Sequence, residues 1–589
     1  MVPVLVQGRS GCSGARSVGI QYDSGMTDLT IAAAEWIAGD PDPITRAELQ
    51  RIVDSGDVDE LAERMGATLQ FGTAGLRGRV EAGSNRMNRA TVIRATKGLA
   101  DYLLATTGTE VGPVVVGRDA RLSSATFMDD TIGVLVAAGF KVRYFADPAP
   151  TPLVAYASLK AGAVAAVVVT ASHNPPADNG YKVYAQNGAQ IIPPTDSDIA
   201  TAIAAVGPAS DVPRAEIVGA AAEPIGEDLF ADYLLDVAKS LPDSAGDRDI
   251  SIVYAAMHGV GGKYVVAALD RFGFSRVHPV AAQFEPDGHF PTVAFPNPEE
   301  PGAMDLSHEL AMSMDADLVI ANDPDTDRLA VSIPEPGVGY RQLTGNQIGV
   351  LLADYMLAGG GTDRPLVFNS IVSSPMLASI AEEYGAGFDR TLTGFKWIWN
   401  AALDREAEGL GSYVFGYEEA LGYSVGQTVR DKDGISAAVA FAALVADARA
   451  KGQTVWDRLA DLYRRHGLWV STQKSAVRPG AEGADEIAAA MRLLSERTPE
   501  TLGGLPVTGV TDYRSGADDR PRYLAATPLV ELSLGDAGRA LIRPSGTEPK
   551  LKIYVDLRGD AGDNWLVAEE ALLAKANAAA QDAVDFLGL

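Results

Sequence analysis

The sequence predicts an α/β protein built from about four domains. Its 589 residues correspond to about four domains of roughly 150 residues each. Apolar segments of strand length alternate with segments of helical periodicity along most of the chain, which favours parallel or mixed sheets packed against helices. Breaks rich in proline, glycine and acidic residues divide the chain into four parts and lie at residues 206–227, 334–339 and 466–483.

The individual elements follow from the positions of the apolar residues. The chain has a predicted helix at 124–139 and predicted strands at 111–117, 141–146, 163–170, 250–255, 318–321 and 366–369, and the last part has strands around 539–543 and 551–557 before an alanine-rich helix at 564–587. Helical periodicity begins only after Met26. We therefore expect residues 1–25 to be a disordered or non-native extension and Met26 to be the natural start.

Composition disfavours several classes of function. A net charge of −28 repels nucleic acid and anionic membrane surfaces, so neither is an expected partner. Cys12 is the single cysteine, which excludes an intrachain disulfide and a multi-cysteine zinc site and fits a reducing cytoplasm. The longest apolar runs are too short to span a membrane. We expect a cytoplasmic protein, and an anionic substrate would need a site that collects its own positive charge.

The first candidate site is the segment TASHNPP, which follows an apolar strand. Ligands collect beyond the carboxyl ends of strands in open α/β sheets, where Ser172 is expected. A hydrolase nucleophile elbow needs glycine where Thr170 and Asn174 stand, so that chemistry is disfavoured, and a plain turn is the structural alternative. Lys182 is either a solvated lysine or a group that pairs with phosphate or moves a proton. Adjacent side chains of an extended segment point apart, so we expect His173 to orient or contact a phosphate and not to act as the base for Ser172.

The second candidate site is the segment DPDTDR, which directly follows the predicted strand 318–321. Asp323, Asp325 and Asp327 alternate in an extended loop and can turn their carboxylates toward one point. Hard oxygen ligands of this kind suit Mg²⁺. A calcium-binding EF-hand would need glycine and glutamate at positions that Arg328 and Pro334 occupy, so it is excluded. A solvated acidic turn is the structural alternative.

The third candidate site is the segment RPSGTEPK between two strands. The guanidinium of Arg543, the hydroxyl groups of Ser545 and Thr547 and the backbone N–H groups near Gly546 can form a phosphate cradle. A tight surface turn is an equal alternative for this segment alone. Nucleotide-binding loops of the GxxxxGK[ST] and GxGxxG types are absent.

Two weaker signals lie between the second and third sites. Thr393 and Gly394 follow a short strand and suit a ligand loop, and Glu418 lies in the glycine-bounded turn GYEEALGY, where a carboxylate can accept hydrogen bonds from sugar hydroxyl groups. Either segment is equally compatible with a structural role.

The motifs FGTAGLRG, TASHNPPADNGYKVY, DPDTDR, GYEEALGY and RPSGTEPKLK occur in this order. Together they resemble the α-D-phosphohexomutase superfamily of phosphoglucomutases and phosphomannomutases, from about residue 72 to residue 554. The resemblance implies four domains around a central cleft, namely three α/β mixed-sheet sandwich domains and a smaller α+β C-terminal domain. The expected domains are 26–225 with the phosphoserine loop, 226–338 with the metal-binding loop, 339–467 with the sugar-binding loop and 468–589 with the phosphate-binding loop.

The resemblance also implies roles for individual residues. Ser172 looks like the serine that carries the phosphoryl group, and a phosphoserine oxygen would join Asp323, Asp325 and Asp327 in holding a single Mg²⁺ per chain. Lys182 is similar to the proposed general acid/base. The remaining implied residues are Arg77 and Arg328 beside the transferring phosphate, Thr393, Gly394, Glu418 and Lys432 in contact with the substrate, and Arg543, Ser545, Gly546 and Thr547 around the other phosphate.

The implied activity is interconversion of hexose 1-phosphate and hexose 6-phosphate, for glucose and/or mannose. Hexose 1,6-bisphosphate would be the activator and intermediate, and the expected assembly is a monomer or weak dimer. Ala420 stands where many family members have serine, and this turn is closer to a subgroup that includes phosphopentomutase-like enzymes, so a phosphopentomutase is the near alternative. A catalytically silent sugar-phosphate-binding paralogue and a phosphatase are further alternatives, and the presence of Ser172, Lys182 and the three aspartates argues against the silent one.

Overall fold

The computed structural model describes residues 19–70, 75–107, 112–217, 221–243, 246–478, 480–545 and 550–589. Four large sheets follow one another along the described chain. The first three each combine parallel pairing at the centre with antiparallel pairing at one edge, whereas the fourth is antiparallel throughout. This confirms the predicted fold class of three mixed α/β domains and a smaller C-terminal domain.

Three helices precede the first sheet: α1 (Gly19–Gly39), α2 (Pro43–Ser55) and α3 (Val58–Met65). Side-chain oxygens of Asp42 and Asp57 cap the N-termini of α2 and α3 by accepting backbone hydrogen bonds. The first helix was expected only after Met26, but it begins at Gly19, so the expected extension overlaps this helix. Residues 1–18 of the expected extension lie outside the described residues.

The first sheet has the strand order β1-β5-β4-β2-β3-β6. Strand β4 consists of small and β-branched apolar residues and is buried along its whole length, as expected for a strand at the centre of a covered sheet. The elements of this domain are β1 (Leu76–Arg79), α4 (Arg89–Thr107), β2 (Val114–Arg118), α5 (Ser124–Ala137), β3 (Val142–Tyr144), α6 (Thr151–Lys160), β4 (Ala165–Val169), β5 (Asp178–Ala185), α7 (Thr195–Ala204), a 3₁₀ turn (Ala209–Asp211) and β6 (Ala222–Pro224).

The second sheet corrects one predicted boundary. Its order is β11-β10-β9-β7-β8, and the break at residues 334–339 is the turn between two of its antiparallel strands. The domain boundary predicted after residue 338 divides this hairpin, so the pairing moves it beyond Gln342. The elements are α8 (Asp228–Ser240), β7 (Ile252–Ala255), α9 (Gly262–Arg271), β8 (Val277–Pro279), α10 (Ala281–Phe284), α11 (Asp305–Met314), β9 (Leu318–Ala321), β10 (Ala330–Glu335) and β11 (Gly339–Gln342).

The third sheet has the order β13-β12-β14-β15. Its last two strands form an antiparallel hairpin whose turn is the EAL segment, residues 419–421, of the motif GYEEALGY. The elements are α12 (Gly345–Ala358), β12 (Pro365–Ser370), α13 (Met376–Glu383), β13 (Gly387–Thr391), α14 (Phe395–Ala407), β14 (Ser412–Glu418), β15 (Gly422–Val425), α15 (Gly434–Ala450) and α16 (Val455–His466).

The fourth domain has the strand order β16-β22-β21-β20-β19. The predicted break at 466–483 instead contains a strand of 10 residues. The sequence did not reveal this strand, because five consecutive polar residues at 471–475 interrupt its alternating pattern. The elements are β16 (Leu468–Val477), α17 (Gly480–Glu496), β17 (Thr501–Leu502), β18 (Leu505–Pro506), β19 (Gly509–Asp512), 3₁₀ turns (Ala517–Asp519, Arg522–Leu524 and Gly535–Ala537), β20 (Val530–Ser533), β21 (Gly538–Pro544), β22 (Lys550–Gly559) and α18 (Trp565–Leu587).

Two buried apolar clusters organise these domains. One extends through the first three domains, and another lies between the fourth sheet and the helices α17 and α18. The loops after β4, β9 and β14 therefore start from strands anchored in the cores of the first three domains. Among the described residues, none of the helices has the length and apolar character that crossing a membrane requires.

Candidate active site

Ser172 lies in the loop after β4, and its side chain faces the second domain. The residue is 1% exposed, and its Oγ donates a hydrogen bond of 2.7 Å to Oδ2 of Asp323. The backbone N–H of Ser172 donates to Oγ1 of Thr170 at 2.8 Å. The backbone of Ser172 is left-handed, with φ of 52°. The loop thus turns one buried hydroxyl toward the acidic segment that follows β9.

The structure corrects the reasoning about His173. Its placement away from Ser172 was expected from an extended segment, but the left-handed backbone of Ser172 breaks that pattern. Nδ1 of His173 consequently lies 3.2 Å from the Ser172 Oγ. Burial lowers the pKa of His173 well below its usual range, and the cations Arg328 and Arg77 add to the effect. A neutral imidazole beside the hydroxyl can accept or donate one hydrogen bond there.

The three aspartates after β9 form a compact group of carboxylates. One oxygen from each of Asp323, Asp325 and Asp327 lies within 4.8 Å of the others, and all three side chains are buried. The left-handed residue Thr326, with φ of 63°, turns the loop between the last two. The Oδ1 atoms of Asp325 and Asp327 are buried without a hydrogen-bond partner in the part of the chain that the structure describes. Buried oxygens without donors suit a cation, so this group could hold a metal ion.

Two lysines from different domains contact this acidic group. Nζ of Lys182, on β5, donates to Oδ2 of Asp325 at 2.7 Å and to Oδ2 of Asp327 at 2.9 Å. Nζ of Lys432 lies 3.0 Å from the same Asp327 oxygen. Burial disfavours the Lys182 ammonium, but the two carboxylates outweigh burial and raise its pKa. Burial likewise opposes ionisation of Asp327, but its pKa is held well below the usual range by the cations around it.

Two arginines border the serine and the carboxylates. Nη1 of Arg77 donates to Oδ1 of Asn174 at 3.2 Å. Nη1 of Arg328 donates to the carbonyl of Ala420 at 2.8 Å, and its Nε lies 4.0 Å from Oδ2 of Asp323. The Nε atoms of both arginines have no hydrogen-bond partner among the described residues. The structure thus brings the predicted arginines to the serine and leaves donors available.

The sugar-loop residues form a second group beside the first. The N–H of Gly394 donates to Oε1 of Glu418 at 2.7 Å, and Oγ1 of Thr393 is buried without a hydrogen-bond partner among the described residues. Gly394 has φ of 117°, which favours glycine. Burial, followed by the neighbouring Glu419, raises the pKa of Glu418 to about 7, and the ammonium of Lys432 opposes the rise. The pKa of Glu418 is thus near neutral pH, and the ammonium of Lys432 is among the charges that act on this carboxylate.

The phosphate loop of the fourth domain stands apart from this network. Arg543 lies at the end of β21 and is half-buried. No hydrogen bond or ion pair joins it to Ser172 or Lys182, both of which the structure describes. Burial raises the pKa of Tyr554, and the charges that act on this phenol include Glu419, Arg543 and Glu418. Ser545 is also half-buried, whereas Gly546 and Thr547 lie outside the described residues.

Sequence reasoning missed three residues that support the site. Oγ1 of Thr151 donates to Oδ2 of Asp325 at 2.7 Å. Asp119 accepts a hydrogen bond of 2.6 Å from Oγ1 of Thr170, and Arg121 donates to the carbonyl of Ser172 at 2.8 Å. Asp119 and Arg121 directly follow β2, the parallel neighbour of β4. The rule that ligands collect at the carboxyl ends of such strands could have found these two.

Family models match most of the chain. They are described as the α/β/α domains I, II and III and the C-terminal domain of phosphoglucomutase/phosphomannomutase, and they match residues 68–209, 228–337, 344–466 and 509–573. A probable phosphomannomutase from Haemophilus influenzae is 40% identical over 480 residues, which cover 80% of this chain and 93% of the relative. A probable phosphoribomutase from Schizosaccharomyces pombe is 36% identical over 549 residues, with coverage of 89% and 93%.

A solved structure supports the same fold. The open form of parafusin, a phosphoglucomutase from Paramecium, superposes with a TM-score of 0.66 at 19% identity and covers 89% of this chain and 97% of its own. The predicted family and the predicted class of enzyme are both confirmed by these relationships. The chain belongs to the phosphoglucomutase/phosphomannomutase family of the α-D-phosphohexomutase superfamily, and it is a phosphomutase, which is an isomerase.

Proposed function

We propose that the protein interconverts the 1-phosphate and 6-phosphate of a hexose, glucose and/or mannose, through a phosphoryl group carried on Ser172. The observation that carries this proposal is the hydrogen bond of 2.7 Å between the Ser172 Oγ and Asp323 inside a buried group of carboxylates and cations. Phosphoryl transfer asks a protein mainly for positioning and for stabilisation of charge. A chain with a net charge of −28 that gathers two lysines and two arginines around one serine meets both needs.

Asp323, Asp325 and Asp327 would hold Mg²⁺ in this proposal. Their hard oxygen donors suit this ion, and two of the Oδ1 atoms are buried without a hydrogen-bond donor among the described residues. Bound Mg²⁺ would stabilise the negative charge of the phosphoryl group. A phosphoryl group on Ser172 would present its oxygens to the same point, because the Ser172 Oγ faces Asp323.

In the proposed transfer, the bond between phosphorus and the Ser172 Oγ breaks and a bond between phosphorus and a substrate hydroxyl oxygen forms. The hydroxyl proton leaves for a basic group. Lys182 is the proposed acid/base residue, and because the two carboxylates raise its pKa, it acts as the base only after it has given up its own proton. Arg77 and Arg328 stabilise the moving phosphoryl group, and His173 orients it. The hexose 1,6-bisphosphate then turns over within the site and returns its other phosphoryl group to Ser172.

The remaining predicted residues would hold the sugar and its second phosphate. Glu418 and Lys432, with Thr393 and Gly394, are proposed to contact the sugar hydroxyl groups. The fourth domain is proposed to hold the phosphate that is not transferred, through Arg543, Ser545, Gly546 and Thr547. All of these residues belong to one chain, so we propose that a monomer or weak dimer is active. We also propose a cytoplasmic location, with which the single cysteine of the chain is compatible.

A phosphopentomutase is the second candidate, because the sugar turn offers few hydrogen-bonding groups. Ala420 has no side-chain hydroxyl group, and its carbonyl accepts from Arg328. Oε2 of Glu419 accepts from Ser370 and Ser373, both at 3.0 Å. Glu418 is therefore the carboxylate of this turn that is best placed for a sugar hydroxyl. A pentose has fewer hydroxyl groups that need hydrogen-bond partners, so its binding would be weakened less at such a turn.

One assay separates these candidates. The purified protein is incubated with Mg²⁺, a trace of the matching sugar bisphosphate, and glucose, mannose or ribose 1-phosphate in turn. A higher kcat/KM for a hexose supports the first proposal, and a higher value for ribose supports the second. Release of inorganic phosphate would instead indicate a phosphatase. Binding of sugar phosphate without turnover would indicate a silent paralogue, and the variant S172A measures the background.

A further inference from the structure

Arg121 is committed to the backbone of the serine loop. Its guanidinium lies in the loop between β2 and α5, and the residue is 2% exposed. Four carbonyl oxygens of the segment 172–178 accept hydrogen bonds from its two terminal nitrogens, namely those of Ser172 at 2.8 Å, Asn174 at 2.5 Å, Pro175 at 2.7 Å and Asp178 at 2.9 Å. All four terminal N–H groups are thereby used, so the side chain has no terminal donor left for a substrate phosphate.

Asp119 fixes this arginine from the other side. Its Oδ2 lies 3.2 Å from the Nε of Arg121 and accepts from Oγ1 of Thr170 at 2.6 Å. Its Oδ1 accepts from the backbone N–H of Arg121 at 2.9 Å and from Oγ of Ser124 at 2.5 Å. One buried ion pair thus joins the loop after β2 to the loop after β4 on both sides of Ser172.

The backbone of Ser172 needs such support. A φ of 52° is sparsely populated by residues that have a Cβ, and it persists only where the surroundings determine it. The carbonyl of Ser172 is bound by Arg121, and its N–H is bound by Thr170. This same backbone conformation directs the Ser172 Oγ toward Asp323.

A loop of the second domain closes over Arg121. The guanidinium carbon lies 5.3 Å from the ring centroid of Phe290, which is 3% exposed. A Cβ at Gly288 would lie 2.6 Å from the carbonyl oxygen of Ala120, so only glycine allows this close approach. The face of Arg121 is therefore covered by the domain that also supplies Asp323.

We propose that Arg121 is a positioning residue for phosphoryl transfer. It holds Ser172 in the left-handed conformation that points Oγ at the metal-binding carboxylates, and Phe290 keeps the guanidinium in place. The inference rests on the proposed function of Ser172 as the phosphoryl carrier. It differs from the roles proposed for Arg77 and Arg328, because those two arginines retain free donors near the transferring phosphate.

The test compares R121A and R121K with the control R118A. Arg118 lies in the same segment and is half-buried, and it donates to the carbonyl of Asp119 at 3.2 Å. Among the described residues, no hydrogen bond or ion pair joins its side chain to the serine loop. A displacement of about 1 Å costs about 100-fold in rate. We expect R121A to lower kcat about 100-fold, R121K about 10-fold, and R118A less than 2-fold, while KM changes less than 3-fold in all three variants.

Two readouts exclude a merely structural effect. Added guanidinium chloride at millimolar concentration should restore part of the kcat of R121A and leave R118A unchanged. The rate at which Ser172 takes up label from ³²P-labelled hexose 1,6-bisphosphate should fall in parallel with kcat. If R121A does not fold, F290L removes the covering ring and should lower kcat several-fold with KM unchanged.

The outcomes distinguish the two levels of the proposal. Wild-type protein that turns over its substrate without labelling Ser172 would disprove the phosphoserine role itself. A labelled wild type together with R121K and F290L variants that label equally fast would disprove the positioning role alone. A rise in KM at constant kcat would make Arg121 a binding residue and would also overturn the inference.

Discussion

The Ser172 centre and the Arg543 loop are placed in the molecule in opposite ways. Ser172 and Asp323 are 1% and 0% exposed, and their loops start from strands in the apolar core of the first three domains. Arg543 is half-buried at the end of β21, whose domain has a core of its own around β20, β21 and β22. The group proposed to break and form bonds is thus fixed by three domains, and the group proposed to hold a phosphate is presented by one.

This difference matches what each region has to do. Burial of a charge is costly unless the charge is paired, and at the serine centre Lys182 is paired with two carboxylates. Charges held in such a precise arrangement can stabilise the transition state of phosphoryl transfer. The loop at Arg543 is proposed to hold either end of a sugar that turns over, and such a task would suit a general phosphate cradle.

The largest expected effect comes from exchanging one hydroxyl in each region. S172A should lower kcat by at least about 10⁴-fold, because the group proposed to carry the phosphoryl is removed. S545A, in the phosphate loop, should raise KM several-fold and leave kcat nearly unchanged. Steady-state kinetics and ³²P labelling measure both variants. Turnover of S172A at the rate of the wild type would disprove the phosphoserine role.

The carboxylates proposed to bind the metal give the next largest effect. D325N keeps the shape of the side chain and its contacts with Thr151 and Lys182 but loses a charged oxygen ligand. We expect a loss in kcat on the order of 10³-fold, because a bound metal contributes several kcal/mol to transition-state stabilisation. Calorimetric titration with Mg²⁺ should show weaker binding for D325N. The control D315N, at an exposed left-handed position of the same domain, should bind Mg²⁺ as the wild type does.

Arg543 provides the contrast from the fourth domain. R543A removes a charge-assisted contact with phosphate worth about 1.5–3 kcal/mol, so KM should rise about 10- to 100-fold while kcat falls less than 10-fold. R543K keeps the charge but loses the planar fork of the guanidinium, so its KM should lie between those of the wild type and R543A. Unchanged KM in both variants would remove Arg543 from the substrate site.

The smallest expected effect is a pH dependence at Glu418. Its pKa of about 7 means that acidification below neutral pH protonates the carboxylate, so KM should rise several-fold between pH 8 and pH 6. E418Q should lack this step and retain only the titration of the substrate phosphate. An identical pH profile of KM in both proteins would contradict the assignment.

The same carboxylate affects stability with a defined sign. The folded pKa of about 7 lies above the unfolded value of 4.5, so the folded state favours the protonated form. Its stabilising contribution is complete below pH 4.5 and is lost as the pH rises through about 7. The Tm of E418Q relative to the wild type should therefore be higher at pH 8 than at pH 5, as differential scanning fluorimetry can measure.

The sequence predicted those parts of the molecule that leave a local pattern. Strand β4 could be predicted because a strand buried on both faces consists of apolar residues. The motifs after β4 and β9 could be recognised because their combinations of residue types are uncommon in other structures. The turn between β10 and β11 was predicted as a boundary between domains, because a turn rich in proline and glycine resembles a linker. Arg121 could be identified only from the structure, because its terminal nitrogens bind backbone carbonyls. Every residue has a backbone carbonyl, so the sequence does not mark these partners. The proximity of His173 to Ser172 depended on one backbone angle, which the sequence does not display.

Asp327 receives Lys182 from the first domain and Lys432 from the third. Lys182 precedes this partner by 145 positions, and Lys432 is synthesised later still. Domains of a growing chain fold in order of synthesis. A nascent polypeptide released early by the ribosome would therefore display the serine without its full set of cations. Translation must pass the third domain before the proposed machinery is complete, so we expect prematurely terminated products to lack mutase activity.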